Sequence, residues 1–410
     1  MNYNEISHCR LSKENDLVNV VDLGTQAFTG IFPASSTEEI PVGPLQLCWS
    51  PSSSLLQLRH TFNLELMYGD NYGYRSGLNK SMVQHLSNKV RFLESIVQLN
   101  SSDTVSDIGS NDGTTLNSYI NQDVCLAGFD PTAEKFREFY NSNIKVSSDF
   151  FSKENYFATV DRPSKIITSL SMFYDLEDPI SFAADIFDCL DDNGIWHLEQ
   201  SYLPSMIRAN SYDTVCHEHL EYYSLHNICD ILSRNKMHVI DVKLNSINGG
   251  SFAVTAAKKS SKYIPHSTYI NFLLSQEKLL GLHTPKPFLD FQYACLEHRT
   301  SLINLLDSII SAGHTIAGYG ASTKGNVLLQ YCGLSTQYLD FVYDINPYKH
   351  GRFTPGTHIP ITNEPCLDGK YPDYFLVLPW HFKDFILLKE TDLISKGIKF
   401  IFPFPFIEIV

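Results

Sequence analysis

A glycine turn between a short apolar strand and a helix start constrains the fold of this chain more than any other feature. Residues 105–116 read VSDIGSNDGTTL, in which Gly109 and Gly113 frame the turn. Glycines let the backbone approach a ligand because no Cβ is in the way, and a helix N-terminus offers unpaired N–H groups. The pattern predicts a buried strand over residues 105–108, a helix over residues 114–120 and a ligand cradle between them.

The acids around this turn indicate the class of ligand. A dinucleotide fingerprint reads G-x-G-x-x-G, whereas this turn reads G-x-x-x-G with Asp107 before it and Asp112 inside it. Two carboxylates would repel a pyrophosphate but suit a ligand with a sulfonium and an ammonium group. Asp130 ends the next predicted strand, where a carboxylate can accept both ribose hydroxyls of a nucleoside. S-adenosylmethionine is therefore the expected cofactor, and a glycine turn without a ligand is the alternative.

Composition narrows the classes of partner. The chain has 410 residues, of which 43% are hydrophobic and 19% are charged, as in soluble proteins of two or three domains. A net charge of −14 argues against nucleic acid or an anionic membrane as the main partner. No secretion signal or long apolar run is visible, and the nine cysteines are scattered without a disulfide-like spacing. We therefore expect a cytoplasmic protein that binds neither nucleic acid nor membranes.

Residues 104–257 alternate strand and helix patterns, which is typical of a doubly wound α/β sheet. We expect five parallel strands and a closing pair, at residues 105–108, 126–129, 144–147, 165–169, 194–199, 238–243 and 251–256. Ligands of such sheets lie beyond the carboxyl ends of the strands, so Glu199 joins Asp107 and Asp130 as a predicted cofactor residue. The predicted units are a small N-terminal β lobe with a tyrosine loop (1–78), a central Rossmann-like cofactor domain (79–257), and a helical connector with a second Rossmann-like domain (258–410).

The N-terminal lobe carries two fragments that look like halves of zinc-binding CxxC pairs. They are Cys9-Arg-Leu-Ser12 and Cys48-Trp-Ser-Pro51, each with its second thiolate missing. Structural zinc needs four ligands, usually thiolates or imidazoles. Because only Cys9 and Cys48 remain, with His8 and His60 as alternative ligands, we interpret the two cysteines as degenerate remnants and expect no zinc.

The densest group of proton-transfer side chains follows the fifth predicted strand. Residues 212–225 read YDTVCHEHLEYYSL, in which His217 and His219 flank Glu218. Imidazoles change charge near neutral pH, so the group suits base chemistry. The alternatives are half of a metal site at the two histidines, or a polar helix start with solvated side chains.

A second strand, turn and helix pattern occupies residues 315–326, which read TIAGYGASTKGN. This turn carries Lys324 and hydroxyl groups in place of acids, so it should prefer an anion such as phosphate. The chain is thus predicted to hold two cradles of opposite charge preference. One suits the methyl donor, and the other suits a phosphorylated acceptor.

The chain resembles the nucleotide-sugar C-methyltransferases through a series of motifs spread over nearly its whole length. In chain order these motifs are YGYRSG, DIGSNDG, FDP, EQSYLP, YDTVCHEHLEYYSL, NGGS, GYGASTKGN, PGTHIPI and LPWHF. The resemblance implies a zinc-binding N-terminal lobe, a central S-adenosylmethionine domain and a C-terminal Rossmann-like domain. It also implies methyl transfer from S-adenosylmethionine to the carbon next to the ketone of a nucleotide-linked 4-keto sugar.

The resemblance further implies roles for individual residues. The cofactor loop falls on Asp107, Gly109, Asn111 and Gly113, with Asp130 as the ribose acid. His219 resembles the general base that forms an enolate, with Glu218 and His217 beside it, and Tyr72 and Tyr74 match tyrosines that line the active site. The predicted substrate contacts are Tyr222, Lys324, Asn326 and Tyr319.

Three departures from the family pattern leave alternatives open. Ser12 and Pro51 stand where the zinc motif has cysteine, Cys216 stands where some relatives have an active-site tyrosine, and Phe252-Ala253 follows NGGS where many relatives have an arginine. A sugar O-methyltransferase and a nucleotide-sugar-binding protein without activity are the rival interpretations. A pure binder has no need of a base, which argues against the latter. A monomer is favoured over an oligomer.

Overall fold

A computed structural model describes residues 3–63, 74–121 and 123–410, and it arranges their strands in four sheets. The N-terminal lobe is formed by strands β1 (Tyr3–Glu5), β2 (Val18–Ala27), β3 (Val42–Trp49), β4 (Leu56–Leu58) and β5 (His60–Phe62). β1 pairs with β5, while β2, β3 and β4 form an antiparallel sheet whose fourth strand is β11 (Glu221–Tyr222). The lobe is therefore completed by a strand that lies more than 150 residues further along the chain.

The central sheet has seven strands. They are β6 (Thr104–Ile108), β7 (Cys125–Phe129), β8 (Lys145–Ser147), β9 (Ser164–Leu170), β10 (Leu190–Ser201), β12 (Met237–Asn245) and β13 (Ser251–Lys258). In space they run in the order β12-β13-β10-β9-β6-β7-β8, with β6 to β10 parallel and β13 antiparallel to both of its neighbours. The predicted five parallel strands and closing pair are confirmed, and with them the Rossmann-like central sheet.

Helices cover both faces of this sheet. They are α1 (Lys80–Ile96), α2 (Thr114–Asn117), α3 (Lys153–Thr159), α4 (Pro179–Cys189), α5 (Leu203–Arg208) and α6 (Leu225–Arg234). The predicted helix over residues 114–120 is only one turn long, so its predicted end is wrong. The chain leaves the helix at Ser118 because Tyr119 enters the core while Ile120 stays exposed.

The connector consists of two helices that serve different parts of the molecule. α7 (Ser267–Leu279) packs Ile270 and Leu273 into the core of the central sheet. α8 (Lys286–Ser311) instead places Phe288 and Leu302 in a core shared with the N-terminal lobe and the C-terminal unit. The connector therefore links the three parts through packing as well as through the chain.

A second Rossmann-like sheet forms the C-terminal unit, as predicted. Its strands are β14 (Ile316–Tyr319), β15 (Val342–Tyr343), β16 (Ile361–Thr362), β17 (Tyr374–Val377), β18 (Lys399–Phe402) and β19 (Glu408–Ile409), and its helices are α9 (Thr323–Cys332), α10 (Lys383–Lys389) and α11 (Thr391–Ser395). The order is β16-β15-β14-β17-β18-β19, with the first five parallel. Within the described residues, no helix has the length and apolar composition needed to cross a bilayer.

Candidate active site

The glycine turn after β6 brings the predicted cofactor residues together at the carboxyl ends of two neighbouring strands. Gly109, Asn111 and Gly113 have left-handed φ angles of 71°, 50° and 75°. Asp130, at the end of β7, accepts a hydrogen bond from the backbone N–H of Asn111 at 2.8 Å, and Gly109 N–H donates to the Phe129 carbonyl at 2.8 Å. The turn is thus built against the end of β7, as a nucleoside cradle requires.

Asp107 lies under this turn, buried, and accepts a hydrogen bond from the Thr168 hydroxyl. Burial raises its pKa to about 7, and the hydrogen bond from Thr168 offsets only part of that effect. A carboxyl group in such surroundings gains stability from a proton or from a cationic group placed beside it. Asp107 therefore fits the cationic amino-acid end of S-adenosylmethionine.

The end of the tyrosine loop closes over the glycine turn. Arg75 forms an ion pair with Asp112 at 3.3 Å, Gly77 N–H donates to the same carboxylate at 2.9 Å, and Asn111 Nδ2 donates to the Tyr74 carbonyl at 3.1 Å. The expectation that the carboxylate of Asp112 attracts the ligand is wrong, because Arg75 already neutralises it. The predicted Tyr72 lies outside the described residues, and Tyr74 stands at this turn with its side chain half exposed.

The carboxylate of Glu199 is bound by three other side chains of the protein. Its carboxylate contacts His85 Nε2 at 2.5 Å, Lys89 Nζ at 2.6 Å and Asn245 Nδ2 at 2.5 Å, with two of these partners on α1. Burial alone would raise the pKa of Glu199. The hydrogen bond from His85 and the charge of Lys89 outweigh that effect and lower the pKa to about 2. What sets Glu199 apart from Asp130 is that its charge is already balanced by Lys89 on α1, so its role as a cofactor ligand stays a prediction that the structure does not support.

His219 is a half-buried imidazole whose tautomer is fixed by its partner. Its Nδ1 lies 2.9 Å from the Thr214 carbonyl, and its ring centroid is 4.1 Å from that of Tyr174. A carbonyl oxygen can only accept, so Nδ1 carries the proton and Nε2 keeps its lone pair. Burial, together with the charge of Lys324, lowers the pKa of His219 to about 3. The ring is therefore neutral at physiological pH and able to accept a proton.

Glu218 and Cys216 stand beside this imidazole. One donor atom from each of Cys216, Glu218 and His219 lies within 4.8 Å of the others, a set that can hold a metal ion. Burial raises the pKa of Glu218 to about 7, so near neutral pH the carboxyl group can carry a proton and donate it. A Cβ on Gly30 would lie 2.6 Å from Glu218 Oε1, which shows that the N-terminal lobe covers this group.

His217 faces away from His219 and is part of an aromatic core. Its ring centroid lies 4.6 Å from that of Phe28 and 4.7 Å from that of Phe62, and Nε2 is 3.2 Å from the Gly43 carbonyl. Burial lowers the pKa of His217 to about 4, so it remains neutral. The structure does not support the prediction of His217 as a catalytic residue, nor the alternative of a metal held jointly by His217 and His219, because the two side chains point into different environments.

Lys324 reaches from the second cradle across to the central domain. It starts from α9, and its Nζ donates to the Asn248 carbonyl at 2.6 Å and lies 3.4 Å from the Thr214 hydroxyl. Thr214 thus contacts both His219 and Lys324. The second cradle therefore reaches the segment that carries His219.

Several residues at this junction were missed in the sequence interpretation. Burial and the nearby Lys324 cation lower the pKa of His381 to about 3, while Trp380 Nε1 donates to Asp213 at 2.8 Å. Burial lowers the pKa of Lys324 itself, an effect that Asp213 opposes. The LPWHF and NGGS motifs were the available signal, but their spacing along the chain does not indicate that they meet.

Tyr222 lines an enclosed cavity next to His219, together with Tyr174, Thr214 and Met206. Its hydroxyl is buried next to the backbone of Cys216 and has no well-aligned hydrogen bond to the described residues. A buried phenol of this kind is costly unless it gains a partner, and a bound substrate is one. Its role as a substrate contact stays a prediction.

Tyr319 and Asn326 have partners within the protein. The hydroxyl of Tyr319 donates to Glu390 at 2.6 Å, and its ring packs among Tyr343, Phe375 and Phe400 in the C-terminal core. Asn326 is buried, and its Nδ2 donates to the Thr29 carbonyl at 2.8 Å. The structure supports neither as a substrate contact, because one fills the core and the other ties α9 to the N-terminal lobe.

Cys48 does not belong to a metal-type turn. It lies in β3, where its thiol faces the Gln57 carbonyl at 3.6 Å. Cys9 instead lies 3.2 Å from the hydroxyl of Ser53. The predicted pairing of Cys48 with Pro51 is therefore wrong, because the turn that approaches Cys9 is the one formed by residues 50–53.

Three family models match consecutive parts of the chain. They describe a putative zinc binding domain over residues 9–68, a methyltransferase domain over residues 80–241 and a C-methyltransferase C-terminal domain over residues 246–405. Among curated proteins, the chain is similar to C-methyltransferase NovU of Streptomyces niveus, with 26% identity over 409 residues. That match covers 98% of this chain and 96% of the relative.

Two solved structures similar to this chain each match less than half of it. The plantazolicin methyltransferase BpumL in complex with SAH is 13% identical, with a TM-score of 0.36 over 45% of this chain and 87% of its own. A complex between the Haloferax volcanii Trm112 methyltransferase activator and a putative methyltransferase gives 12% identity and a TM-score of 0.36 over 46% of this chain and 95% of the matched one.

Proposed function

The chain belongs to a C-methyltransferase family and is a class I S-adenosylmethionine-dependent methyltransferase, and on that premise we propose that it methylates the carbon next to the ketone of a nucleotide-linked 4-keto sugar. The arrangement at Thr214 carries this proposal. A neutral imidazole, His219, and an ammonium group, Lys324, both contact Thr214, where the two Rossmann-like units meet. A base and a cation placed side by side are what enolate formation needs.

In the proposed reaction, His219 removes the proton from the carbon next to the ketone. Such a hydrogen is too weakly acidic to leave unaided, so Nε2 takes it while the electron pair moves onto the carbonyl oxygen. Lys324, and Glu218 when protonated, stabilise the resulting oxyanion by charge and by hydrogen bonding. The carbon of the enolate then forms a bond to the methyl group. When bound, S-adenosylmethionine would supply this methyl group, and the electron pair of its carbon–sulfur bond would remain on sulfur.

The glycine turn is proposed to hold the cofactor. In this proposal Asp130 meets the ribose with the lone pairs that remain beside its bonds from Asn111 and Thr132, and Gly109, Asn111 and Gly113 allow close backbone approach. The raised pKa of Asp107 indicates a carboxyl group that gains stability from a neighbouring cation. We propose that the ammonium group of the cofactor is that cation.

The phosphorylated part of the substrate is proposed to reach Lys324 from the side of the C-terminal unit. The Lys324 ammonium lowers the pKa of His219, so an anion bound to it would raise the basicity of that imidazole. Substrate binding would therefore prepare the base for proton removal. The same property disfavours proton removal from neutral sugars that lack a phosphate.

We also propose the wider setting in which the chain works. The nine cysteines are all free in the structure, in agreement with a reducing compartment such as the cytoplasm. The units 1–78, 79–257 and 258–410, and a monomeric state, remain part of this proposal. Gel filtration with light scattering would test the last point directly.

The decisive experiment compares the intact chain with His219→Ala. With a ¹³C-labelled methyl donor and TDP-, CDP- and GDP-linked 4-keto sugars, we expect methylation on carbon by NMR, and solvent deuterium exchange at that carbon. His219→Ala should retain cofactor binding by calorimetry but lose at least about 100-fold in both reactions. His266→Ala, at an exposed histidine, is the control and should behave as the intact protein.

Each contrary outcome overturns a different part of the proposal. A label on oxygen would indicate an O-methyltransferase, and turnover at the intact rate by His219→Ala would remove that residue from the role of base. Cofactor binding without turnover on any of these sugars would favour a different acceptor.

A further inference from the structure

Two turns in the N-terminal lobe share the same backbone geometry. In the first, Cys9 N–H donates to the Glu14 carbonyl at 2.9 Å and Lys13 N–H donates to the Cys9 carbonyl at 2.9 Å. In the second, Ser50 N–H donates to the Leu55 carbonyl at 3.0 Å, and Ser54 N–H donates to the Ser50 carbonyl at 2.8 Å. The fifth residue of each turn has a left-handed φ angle, 63° at Lys13 and 57° at Ser54. The two turns are therefore structural equivalents.

The first and fourth positions of each turn have the spacing of a CxxC metal pair. These positions are Cys9 and Ser12 in one turn, and Ser50 and Ser53 in the other. The backbone N–H groups of Leu11 and Ser12 approach Cys9 Sγ at 3.4 and 3.5 Å, and the Ser53 hydroxyl lies 3.2 Å from the same sulfur. The geometry thus presents the two turns to each other as paired zinc-binding turns would be.

The donor set does not fit zinc. Zinc in proteins is bound by thiolate, imidazole or carboxylate, and a structural site needs four such ligands. Only Cys9 qualifies among the four positions. Asp16 is close by, but its two oxygens accept from the Ser50 hydroxyl and from Ser52 N–H, both at 2.8 Å. The residues of this site therefore disagree with the metal that the matching family model describes.

Separate hydrogen bonds connect the two turns instead. Ser52 Oγ, in the second turn, donates to Ser12 Oγ, in the first, at 2.7 Å. The Ser50 hydroxyl and Ser52 N–H both donate to the carboxylate of Asp16, which follows the first turn. The contact between Cys9 and Ser53 adds a further link.

We propose that the N-terminal lobe is a metal-free form of a zinc-binding domain, in which a network of serine hydroxyls anchored on Asp16 provides the cross-link that zinc would provide. The network matters for the active site, because the second turn leads directly into β4. β4 pairs with β11, and Leu58 N–H donates to the carbonyl of Leu220, the residue after His219, at 2.8 Å. The lobe thus positions the base without metal.

Metal analysis of the full-length protein tests this directly. Protein purified without a histidine tag from zinc-supplemented medium should contain far less than one zinc per chain by plasma mass spectrometry. Chelators should leave both the melting temperature and the methylation rate unchanged. One zinc per chain that persists through dialysis and is lost in Cys9→Ser would overturn the proposal, whatever the outcome for the substrate.

Restoring the missing thiolates tests whether the geometry has been retained. Ser12→Cys, Ser50→Cys and Ser53→Cys combined should bind one zinc per chain, give the charge-transfer absorption of thiolate-bound cobalt on substitution, and make the melting temperature sensitive to chelators. The matched control is Ser35→Cys, Ser101→Cys and Ser260→Cys, which adds three thiols at exposed positions. A folded triple variant that takes up neither metal would show that the two turns do not form a site. If the triple variant does not fold, the metal content of the natural protein still decides.

Discussion

Thr214 contacts a neutral imidazole and a cation at once, the first through its backbone and the second through its side chain. Its carbonyl fixes the tautomer of His219, and its hydroxyl lies 3.4 Å from Lys324 Nζ. Lys324 also lowers the pKa of His219, so the two residues interact electrostatically as well as through their shared contact with Thr214. A residue about a hundred positions further along the chain therefore adds to the effect of burial on the strength of the base.

Lys324→Met tests this coupling. We expect kcat to fall about 100-fold, because the oxyanion loses a charged donor. Removal of the cation should also raise the pKa of His219, and since the base must be neutral to act, the acidic limb of the kcat/KM profile should move to higher pH. Lys286→Met, at an exposed lysine, is the control. An unchanged acidic limb would show that Lys324 does not act on the base.

The carboxylate of Glu199 allows a test of how one residue contributes to the free energy of unfolding. Its pKa is about 2 in the folded protein and about 4.3 in an unfolded chain, so its contribution is complete above the unfolded value and is lost as pH falls toward 2. Glu199→Gln leaves Lys89 buried without its partner and should cost about 3 kcal/mol at pH 7. Denaturant titrations should show this difference narrowing below about pH 4. A gap that stays constant down to pH 3 would contradict the assignment.

Residue positions at strand ends follow from the sequence, but the partners of those residues do not. Asp107 and Asp130 were predicted at neighbouring strand ends and are found there. Glu199 was predicted by the same rule, yet its side chain pairs with α1, because the strand rule gives the end of the strand and not the helix packed over it. His217 and His219 are two positions apart and differ because one faces the aromatic rings of the lobe and the other faces Lys324.

At the scale of elements, the NGGS turn between β12 and β13 joins the central sheet to the C-terminal unit. Gly249 has a φ angle of 87°, and a Cβ there would lie 2.8 Å from the ring of Trp380. The preceding residue, Asn248, supplies the carbonyl that accepts from Lys324. Gly249 therefore permits close packing of the two Rossmann-like units, whereas a Cβ on Gly250 would meet Ser205 of α5.

Gly249→Ala should lower methylation about tenfold or more, because the turn must move away from Trp380 and take the Asn248 carbonyl with it. Gly313→Ala is the matched control: its φ angle is 83°, but nothing lies within 4 Å of the added Cβ. Both variants should lose about 1 kcal/mol of stability from backbone strain, measured by denaturant unfolding. Equal loss of activity in both would show that strain alone matters.

The elements themselves could be predicted because strand and helix patterns are local. The strands of the central sheet and the C-terminal β18 (Lys399–Phe402) fall where the apolar runs indicated. The pairing of β4 with β11 could not be predicted, since a two-residue strand has no periodicity to detect. The turn at Ser50 and Ser53 could not be predicted either, because serines stand at the positions where two cysteines would have formed a recognisable CxxC motif.

At the scale of the whole molecule, one hydrophobic core runs through three parts of the chain. It contains Phe28 and Phe62 of the N-terminal lobe, Cys216 and Leu220 around the base, and Leu328 of the C-terminal unit. The central sheet has separate cores of its own. The lobe and the C-terminal unit should therefore unfold together, although they stand at opposite ends of the sequence.

Phe28→Ala tests this shared core. The ring is 1% exposed and packs against Phe62 and His217, so its loss should cost about 3–5 kcal/mol. The chain has three tryptophans, of which Trp49 reports on the lobe and Trp380 on the C-terminal unit. One background variant keeps Trp49 and lacks Trp380, and the other keeps Trp380 and lacks Trp49. Phe28→Ala should shift the unfolding midpoint by the same amount in both backgrounds.

The comparison needs a control that changes an aromatic ring outside the shared core. Phe272 on α7 is 54% exposed, and Phe272→Ala should leave both midpoints in place. If Phe28→Ala lowered the midpoint of Trp49 but not that of Trp380, the lobe would unfold independently, and the base would be held by a detachable part. An equal shift would mean that the position of His219 depends on the C-terminal unit as much as on the lobe, since both pack around the segment that carries it.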